Sequence, residues 1–215
     1  MAFSFVRTTQ LNVVGASVVS MPLSAAAVAN NFLVIHTKHT NVNGFVSLVD
    51  NVGNTYAVAG GPVDNGVNAR IYQYYGVQVI GGATTLTLTI SGTDNTRVII
   101  DEFSGGALTN AALFDQVASN TGTGTSSSVS LSPTQAGCLI IGGIGHAAAI
   151  VTPAAGSGFT LSSSSAAQIG EYKLSGTTSE TVAASWTNSA AWASLAASYK
   201  PLAAATNGAG FFGLM

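Results

Sequence analysis

Thr84-Thr85-Leu86-Thr87-Leu88-Thr89-Ile90-Ser91 is the stretch that decides the fold class of this chain. Apolar and hydroxyl side chains alternate along it, and successive side chains of a β-strand point to opposite faces of the sheet. Leu86, Leu88 and Ile90 therefore share one face, and the threonines between them share the other. The pattern predicts a strand with one buried face and one face that is polar but uncharged.

The same alternation recurs between closely spaced turn signals along the whole chain. Segments rich in Gly, Asn and Asp, such as residues 50–54 and 92–95, separate short apolar runs. These residue types tolerate the positive φ angles of tight reversals. Short strands at regular spacing predict a β-sandwich or barrel. The predicted strands cover residues 3–8, 32–36, 45–49, 55–59, 69–75, 86–90, 97–103, 127–131, 138–141, 158–161, 168–173, 179–186 and 192–199.

Two segments leave alternatives open. Residues 119–128 form a Gly/Ser/Thr tract, which we interpret as an exposed crossover loop within one sandwich, with a linker between two domains as the alternative. Residues 110–117 fit either one helical turn or a strand. Because the strand pattern is alike on both sides of the tract, we predict one all-β domain over residues 1–200. We expect a jelly-roll-type antiparallel β-sandwich with an extended C-terminal arm over residues 201–215.

Charged side chains are scarce. The chain has 6 Lys and Arg and 8 Asp and Glu among 215 residues, whereas about a quarter of the residues of a typical soluble domain are charged. Ser, Thr, Asn and Gln fill the polar positions instead. Such a neutral exterior suits a protein that packs against copies of itself, so we expect a homo-oligomer, and we predict a homotrimer.

Nucleic acid and membrane are both disfavoured as partners. The net charge is −2, and the six basic residues are scattered without forming a stripe that could follow a phosphate backbone. The most membrane-like window, residues 136–153, is interrupted by Gly142, Gly143, Gly145 and His146. It is also shorter than the roughly 20 residues that a spanning helix needs.

No metal site is predicted. His36 and His39 are three residues apart, so on an extended strand they point to opposite faces and cannot share an ion. Residues 50–54 loosely resemble a calcium loop, but they lack its alternating acids and its terminal Glu. Asx-turn hydrogen bonding explains Asp50 and Asn54 without an ion.

Catalytic residues are also not found. Asp101 and Glu102 are adjacent, so on a strand they cannot flank one bond. One of them should face an apolar layer, where it needs Arg70, Arg97 or backbone N–H groups as a partner. Cys138 lies in an apolar run and is predicted to be a buried, inert thiol. We therefore expect a protein that is not an enzyme and that uses no cofactor.

Aromatic residues offer a binding function of a different kind. Tyr72 and Tyr74 share one face of a predicted strand, and with Trp192 they could form a platform on which a glycan stacks. Packing in the core or at an interface is the commoner use of such side chains and is the favoured interpretation.

The end of the chain has its own composition. Residues 201–210 are small and flexible, and four large apolar side chains follow them. An apolar group on a flexible tether suits docking on a neighbouring molecule. The predicted partner-binding residues are Phe211, Phe212, Leu214 and Met215.

Three fragments carry a resemblance to a known family. They are Leu48-Val49-Asp50-x-x-Gly53-Asn54-Thr55-Tyr56, then Arg70-Ile71-Tyr72-Gln73-Tyr74-Tyr75 with Gly81-Gly82-x-x-Thr85-Leu86-Thr87-Leu88, then Ile99-Ile100-Asp101-Glu102-Phe103-Ser104-Gly105. In this order they resemble jelly-roll-like β-sandwich proteins encoded by tailed bacteriophages and in bacterial genomes. The similarity spans about residues 30–200, and its motifs are turns and strands that make the fold.

The resemblance implies a structural role in a virion and brings no catalytic residues with it. The expected function is that of a phage capsid decoration or cement protein, which stabilises the shell through oligomeric contacts. Its expected partners are copies of itself and the major capsid protein or another virion protein. A carbohydrate-binding, receptor-binding module of a tail or fibre is the alternative.

Overall fold

The computed structural model describes residues 2–40 and 43–203. Within this part, nearly all regular structure is β-strand, and the helix is four residues long. The elements are β1 (Ser4–Pro22), β2 (Phe32–His39), β3 (Phe45–Asp50), β4 (Ala57–Asp64), β5 (Arg70–Val77), β6 (Thr85–Ser104), α1 (Asn110–Leu113), β7 (Phe114–Ser126), β8 (Val129–Leu131), β9 (Leu139–His146), β10 (Thr160–Ser165), β11 (Gln168–Lys173), β12 (Glu180–Val182) and β13 (Ser185–Tyr199).

Two principal sheets pack face to face. The first sheet has the order β1-β6-β2-β5-β4, with β3 also paired to β6, and the second has the order β10-β11-β9-β13-β7. All of these pairings are antiparallel, so the predicted all-β antiparallel sandwich is confirmed. The chain completes the first sheet before it enters the second. This sequential path differs from the alternation between sheets that a jelly roll implies.

The first sheet folds back over its own outer face. The β1–β6 ladder changes register between Val13 and Val18, where Gly15 has a φ of +64°. Beyond this bend, residues 18–22 of β1, residues 85–90 of β6 and all of β3 form a three-stranded flap, the wing. Residues 92–95, predicted as a turn between two strands, instead lie at the bend within one continuous strand. That prediction was wrong because these turn-forming residues bend the ladder without ending it.

The inner face of the wing is apolar and closes a core on the outside of the first sheet. The residues of this core that come from the wing are Val19, Met21, Leu48, Leu86, Leu88 and Ile90, and those from the sheet beneath include Leu33, Ile35, Tyr72, Tyr74, Val98 and Ile100. The second sheet is covered in the same way, because β8 and β12 lay Val129 and Val182 over Cys138 and Ile140. With both faces covered, all eight residues of β2 and all eight of β9 are buried.

The core between the two sheets draws on both halves of the chain. It includes Phe32, Val34 and Phe103 from the first sheet and Leu139, Ile141 and Tyr199 from the second. Two glycines on the inner face of β9 let the sheets approach where polar side chains are buried. A Cβ at Gly143 would overlap the imidazole of His36, and a Cβ at Gly145 would lie 3.0 Å from Cγ of Lys38.

Two further segments differ from the sequence predictions. Residues 119–126, expected in a crossover loop, belong to β7 and pair with β13 in register from Ser119 opposite Leu195 to Gly124 opposite Ala190. Pairing with a long neighbouring strand outweighs the low strand propensity of Gly and Ser. Residues 110–117, left open between helix and strand, contain both, since α1 ends where β7 begins.

Candidate functional site

The few charged residues of this chain are used inside the fold. Of the 14 Lys, Arg, Asp and Glu residues, six are buried, seven are half-buried and Asp64 alone is exposed, all of them within the described residues. Among the described residues, three ion pairs join six of these groups: Arg7 with Glu102, Lys173 with Glu180 at 2.9 Å and Lys200 with Asp115 at 3.4 Å. The exterior is therefore even poorer in charge than the composition indicates.

The outer face of the wing is the clearest neutral surface. Register pairing places Val18 beside Thr89 and Thr89 beside Ser47, and the next row joins Ser20, Thr87 and Val49 in the same way. Val18 is 57% exposed and Val49 is 51% exposed. We name this surface the Thr–Val face; it consists of Val18, Ser20, Ser47, Val49, Thr85, Thr87 and Thr89.

More exposed apolar residues lie on the two outer strands that contribute to the Thr–Val face. Val46, at the irregularity of β3, is 57% exposed, and Val14, beside the bend of β1, is 70% exposed. Single exposed apolar residues are ordinary on protein surfaces. Several of them around one uncharged sheet face are typical of an interaction surface.

The edge of the second sheet is a further uncharged surface. β7 is an edge strand, and no described strand pairs with its outer side. Apart from Asp115 near its start, β7 consists of neutral residues, most of them exposed. Proteins usually protect such edges with charges or proline, because unpaired backbone N–H and C=O groups recruit strands from other chains.

The two adjacent carboxylates point to opposite faces, as predicted, and both are buried. Glu102 is the paired one: its Oε1 accepts hydrogen bonds from the backbone N of Val28 at 3.0 Å and from Nδ2 of Asn31 at 2.6 Å. Its other oxygen forms an ion pair with Arg7. The predicted backbone N–H partner is therefore confirmed at Val28, whereas the predicted cations Arg70 and Arg97 were wrong for Glu102, because pairing of β1 with β6 brings Arg7 to it instead.

Asp101 faces the space between the sheets and has no such partner. Its side chain is fully buried, and burial raises its pKa to about 6. The hydroxyls of Thr8 and Ser162 act on the pKa in the opposite direction, with a smaller effect than burial, and neither forms a hydrogen bond of good geometry with the carboxylate. Asp101 and Glu102 thus cannot act on one substrate bond.

The histidines do not converge on one point. His36 faces Gly143 of the second sheet, whereas His39 lies on the opposite face, where its ring contacts Tyr72 and its Nε2 lies 2.9 Å from the hydroxyl of Thr37. Burial lowers the pKa of each to about 4, so both are neutral at physiological pH. Among residues 2–40 and 43–203, no group of three or more His, Cys, Asp or Glu side chains could hold a metal ion.

Cys138 is buried, as predicted. Burial, together with the nearby carboxylate of Asp115, raises the pKa of its thiol to about 11. The thiolate that a nucleophile or redox centre needs is therefore not populated near neutral pH.

The loop at residues 50–54 is held by hydrogen bonds within the protein. Oδ1 of Asp50 accepts from the backbone N–H groups of Val52, Gly53 and Asn54 at 2.7–3.0 Å, and Oδ2 accepts from Tyr56 at 2.9 Å. Burial raises the pKa of Asp50, but these hydrogen bonds outweigh burial and lower it overall. The predicted Asx turn is confirmed. The first fragment of the family resemblance, which contains this loop, therefore has a structural role.

The three aromatic residues considered for a glycan platform are core residues, which confirms the favoured interpretation of core packing. Tyr72 and Tyr74 do stack on each other, with ring centroids 5.8 Å apart, but they are only 5% and 0% exposed because the wing covers them. Trp192 lies in the second sheet, in a different cluster, and is 6% exposed. The structure does not bring the three together, and it leaves no ring face open to a sugar.

Phe211, Phe212, Leu214 and Met215 lie outside the described residues, as does most of the predicted arm. Within the described part, no helix has the length and hydrophobicity to cross a membrane. Comparison with protein-family models, with curated proteins and with solved structures finds no match to this chain.

Proposed function

We propose that this chain is a structural protein of a phage virion, a capsid decoration or cement protein that associates with copies of itself and with the shell. One observation carries this proposal: among the described residues, Asp64 is the only charged residue that is exposed. A freely diffusing protein keeps its surface charged to avoid association. An exterior so poor in charge can be covered by other subunits with little desolvation cost.

The Thr–Val face and the outer edge of β7 are the surfaces best suited to this role. Valine methyl groups supply apolar area, worth about 25 cal/mol for each Å² buried, while threonine and serine hydroxyls can hydrogen-bond across an interface. A stable interface buries about 800 Å² per partner, so each contact needs more than the Thr–Val face alone. Repetition of modest contacts over a symmetric shell multiplies their effect through avidity.

The test of self-association places one charge on the Thr–Val face. Thr87→Lys places an ammonium group in the middle row of the face. Thr181→Lys makes the same change at the exposed residue of β12, on the opposite side of the layered body. We expect the wild-type protein and the Thr181→Lys variant to be oligomers by analytical ultracentrifugation, and Thr87→Lys to dissociate. A wild-type protein that stays monomeric at high concentration would contradict the proposal.

The location in the virion needs a separate experiment. Immunogold electron microscopy of particles from cells that carry the gene should label the capsid. Deletion of residues 211–215 should reduce this labelling without changing the far-UV circular dichroism of the isolated protein. Label confined to the tail would favour the alternative, a receptor-binding module, although the buried rings of Tyr72, Tyr74 and Trp192 give that alternative no support.

A further inference from the structure

An open pocket of about 470 Å³ lies at one end of the sandwich, between the ends of the two sheets. The first sheet contributes Lys38 and Arg97 from its strands, together with Thr40 just beyond β2. Asn68 and Asn95 lie beside them, and alanines from the loop after β9 (residues 147–149) and from the turn between β10 and β11 (residues 166–167) form the opposite wall. Among the described residues that line this pocket, no side chain is acidic.

Two cations stand side by side in this pocket. Lys38 and Arg97 are direct cross-strand partners of the β2–β6 ladder, so their side chains project from the same face. Like charges in this arrangement destabilise a sheet. Within the described residues, the ion pairs of this protein involve other groups, and neither Lys38 nor Arg97 takes part in one.

Lys38 is held in place deep in the pocket. The residue is 3% exposed, and its stem passes over Gly145, where any larger residue would crowd it. Burial and the neighbouring Arg97 lower the pKa of Lys38 to about 8, although the charge of Asp94 acts in the opposite direction. Asp94 itself binds the backbone N–H of Thr40 at 3.0 Å and its hydroxyl at 2.6 Å.

We propose that this pocket binds a sugar that carries an acidic group, with the carboxylate or phosphate between Lys38 and Arg97. An anion there would relieve the repulsion between the two cations and would accept charge-assisted hydrogen bonds from both. The volume exceeds that of a bare anion and falls in the range of small-molecule sites. Amide and hydroxyl groups of Asn68, Asn95 and Thr40 suit sugar hydroxyls, and the alanine methyl groups suit the C–H face of the ring.

The inference goes beyond the proposed virion role and does not depend on it. It also places carbohydrate recognition away from the buried aromatic residues. Uronic acids and sugar phosphates share the required chemistry, so both are used as probes.

The full-length protein is titrated separately with D-glucuronate, glucose 6-phosphate, D-glucose and inorganic phosphate. Binding is measured by isothermal titration calorimetry and by changes in amide NMR shifts. We expect saturable binding of at least one acidic sugar, no saturation by glucose, and at least tenfold weaker binding of inorganic phosphate. Tighter binding of glucuronate would identify a uronic acid, and tighter binding of glucose 6-phosphate a phosphorylated sugar. Failure of both acidic sugars, equal binding of glucose, or equal binding of inorganic phosphate would overturn the proposal.

Variants assign the site. Lys38→Met and Arg97→Gln should each weaken binding of the acidic sugar at least tenfold, while Lys200→Met, which removes a cation paired with Asp115 elsewhere, should leave it unchanged. Removing one of two unpaired cations should not prevent folding, and amide NMR spectra check this. Arg97→Lys keeps the charge but loses the planar fork, so its affinity should fall between those of wild type and Arg97→Gln. Wild-type affinity in Lys38→Met and Arg97→Gln would refute the assignment.

Discussion

Replacing Asp101 by Asn should stabilise this protein at neutral pH and leave its stability nearly unchanged in acid. Asp101 is fully buried between the sheets, and its carboxylate lacks a hydrogen bond of good geometry. Burial therefore raises the pKa from 3.8 to about 6. Asparagine has nearly the same shape as the protonated acid but never becomes charged, so it removes the cost of ionising this site.

The sign and size of the effect follow from proton linkage. Between pH 3.8 and about 6 the folded state holds a proton on Asp101 that the unfolded state has lost, so the free energy of unfolding falls as pH rises. Below pH 3.8 both states are protonated and the penalty vanishes. Above the folded-state pKa it is complete, at about 3 kcal/mol. We therefore expect Asp101→Asn to gain up to this amount at pH 7.

Urea unfolding, monitored by tryptophan fluorescence at pH 4, 5, 6, 7 and 8, measures the difference in the free energy of unfolding between variant and wild type. Other buried groups that titrate in this range, such as His36 and Glu171, are present in both proteins and cancel. Asp64→Asn is the matched control, because it makes the same substitution at an exposed site, where we expect no comparable gain in stability. A difference for Asp101→Asn that stays constant from pH 4 to 8 would show that the carboxylate is not neutralised by burial.

Three further predictions concern the packing. Gly143→Ala should lower the free energy of unfolding in urea by about 1–3 kcal/mol, because the added methyl group overlaps His36. Adding His36→Ala to this variant should recover most of the lost stability, and no recovery would argue against the overlap. Arg7→Met should cost about 2–4 kcal/mol by the same assay, since it leaves the carboxylate of Glu102 buried without its cation, and Glu102→Gln alongside it should reduce the cost. Tyr74→Ala should lower stability by about 3–5 kcal/mol, as expected for a core aromatic, and a loss below 1 kcal/mol would mean that the wing does not bury this ring.

Much of the candidate interface could be anticipated from local pattern. The alternation of residues 84–91 predicted that Thr85, Thr87 and Thr89 face away from a core, and the structure confirms it. Their neighbours Val18 and Val49 could not be predicted. They reach the same face only through pairing with strands that lie far away in the chain, and no local signal specifies such a register.

The pocket was even harder to predict from local sequence, because it depends entirely on strand register. Lys38 follows an apolar run and Arg97 precedes another, and each alone is compatible with an ordinary strand end. Only the β2–β6 register makes them neighbours. Glu171 was missed for a related reason: burial in the second sheet raises its pKa to about 7, but its sequence context does not distinguish it from an exposed acid.

By itself, the sequence determined the period-2 alternation, the all-β class and the scarcity of charge, because these depend on residue type and spacing alone. The tertiary structure decided what covers each face. The bend near Gly15 and residues 92–95 folds the wing over Tyr72 and Tyr74, so the face that alternation assigns to both rings became core. The period of a strand separates its two faces, but only long-range packing decides which of them meets water.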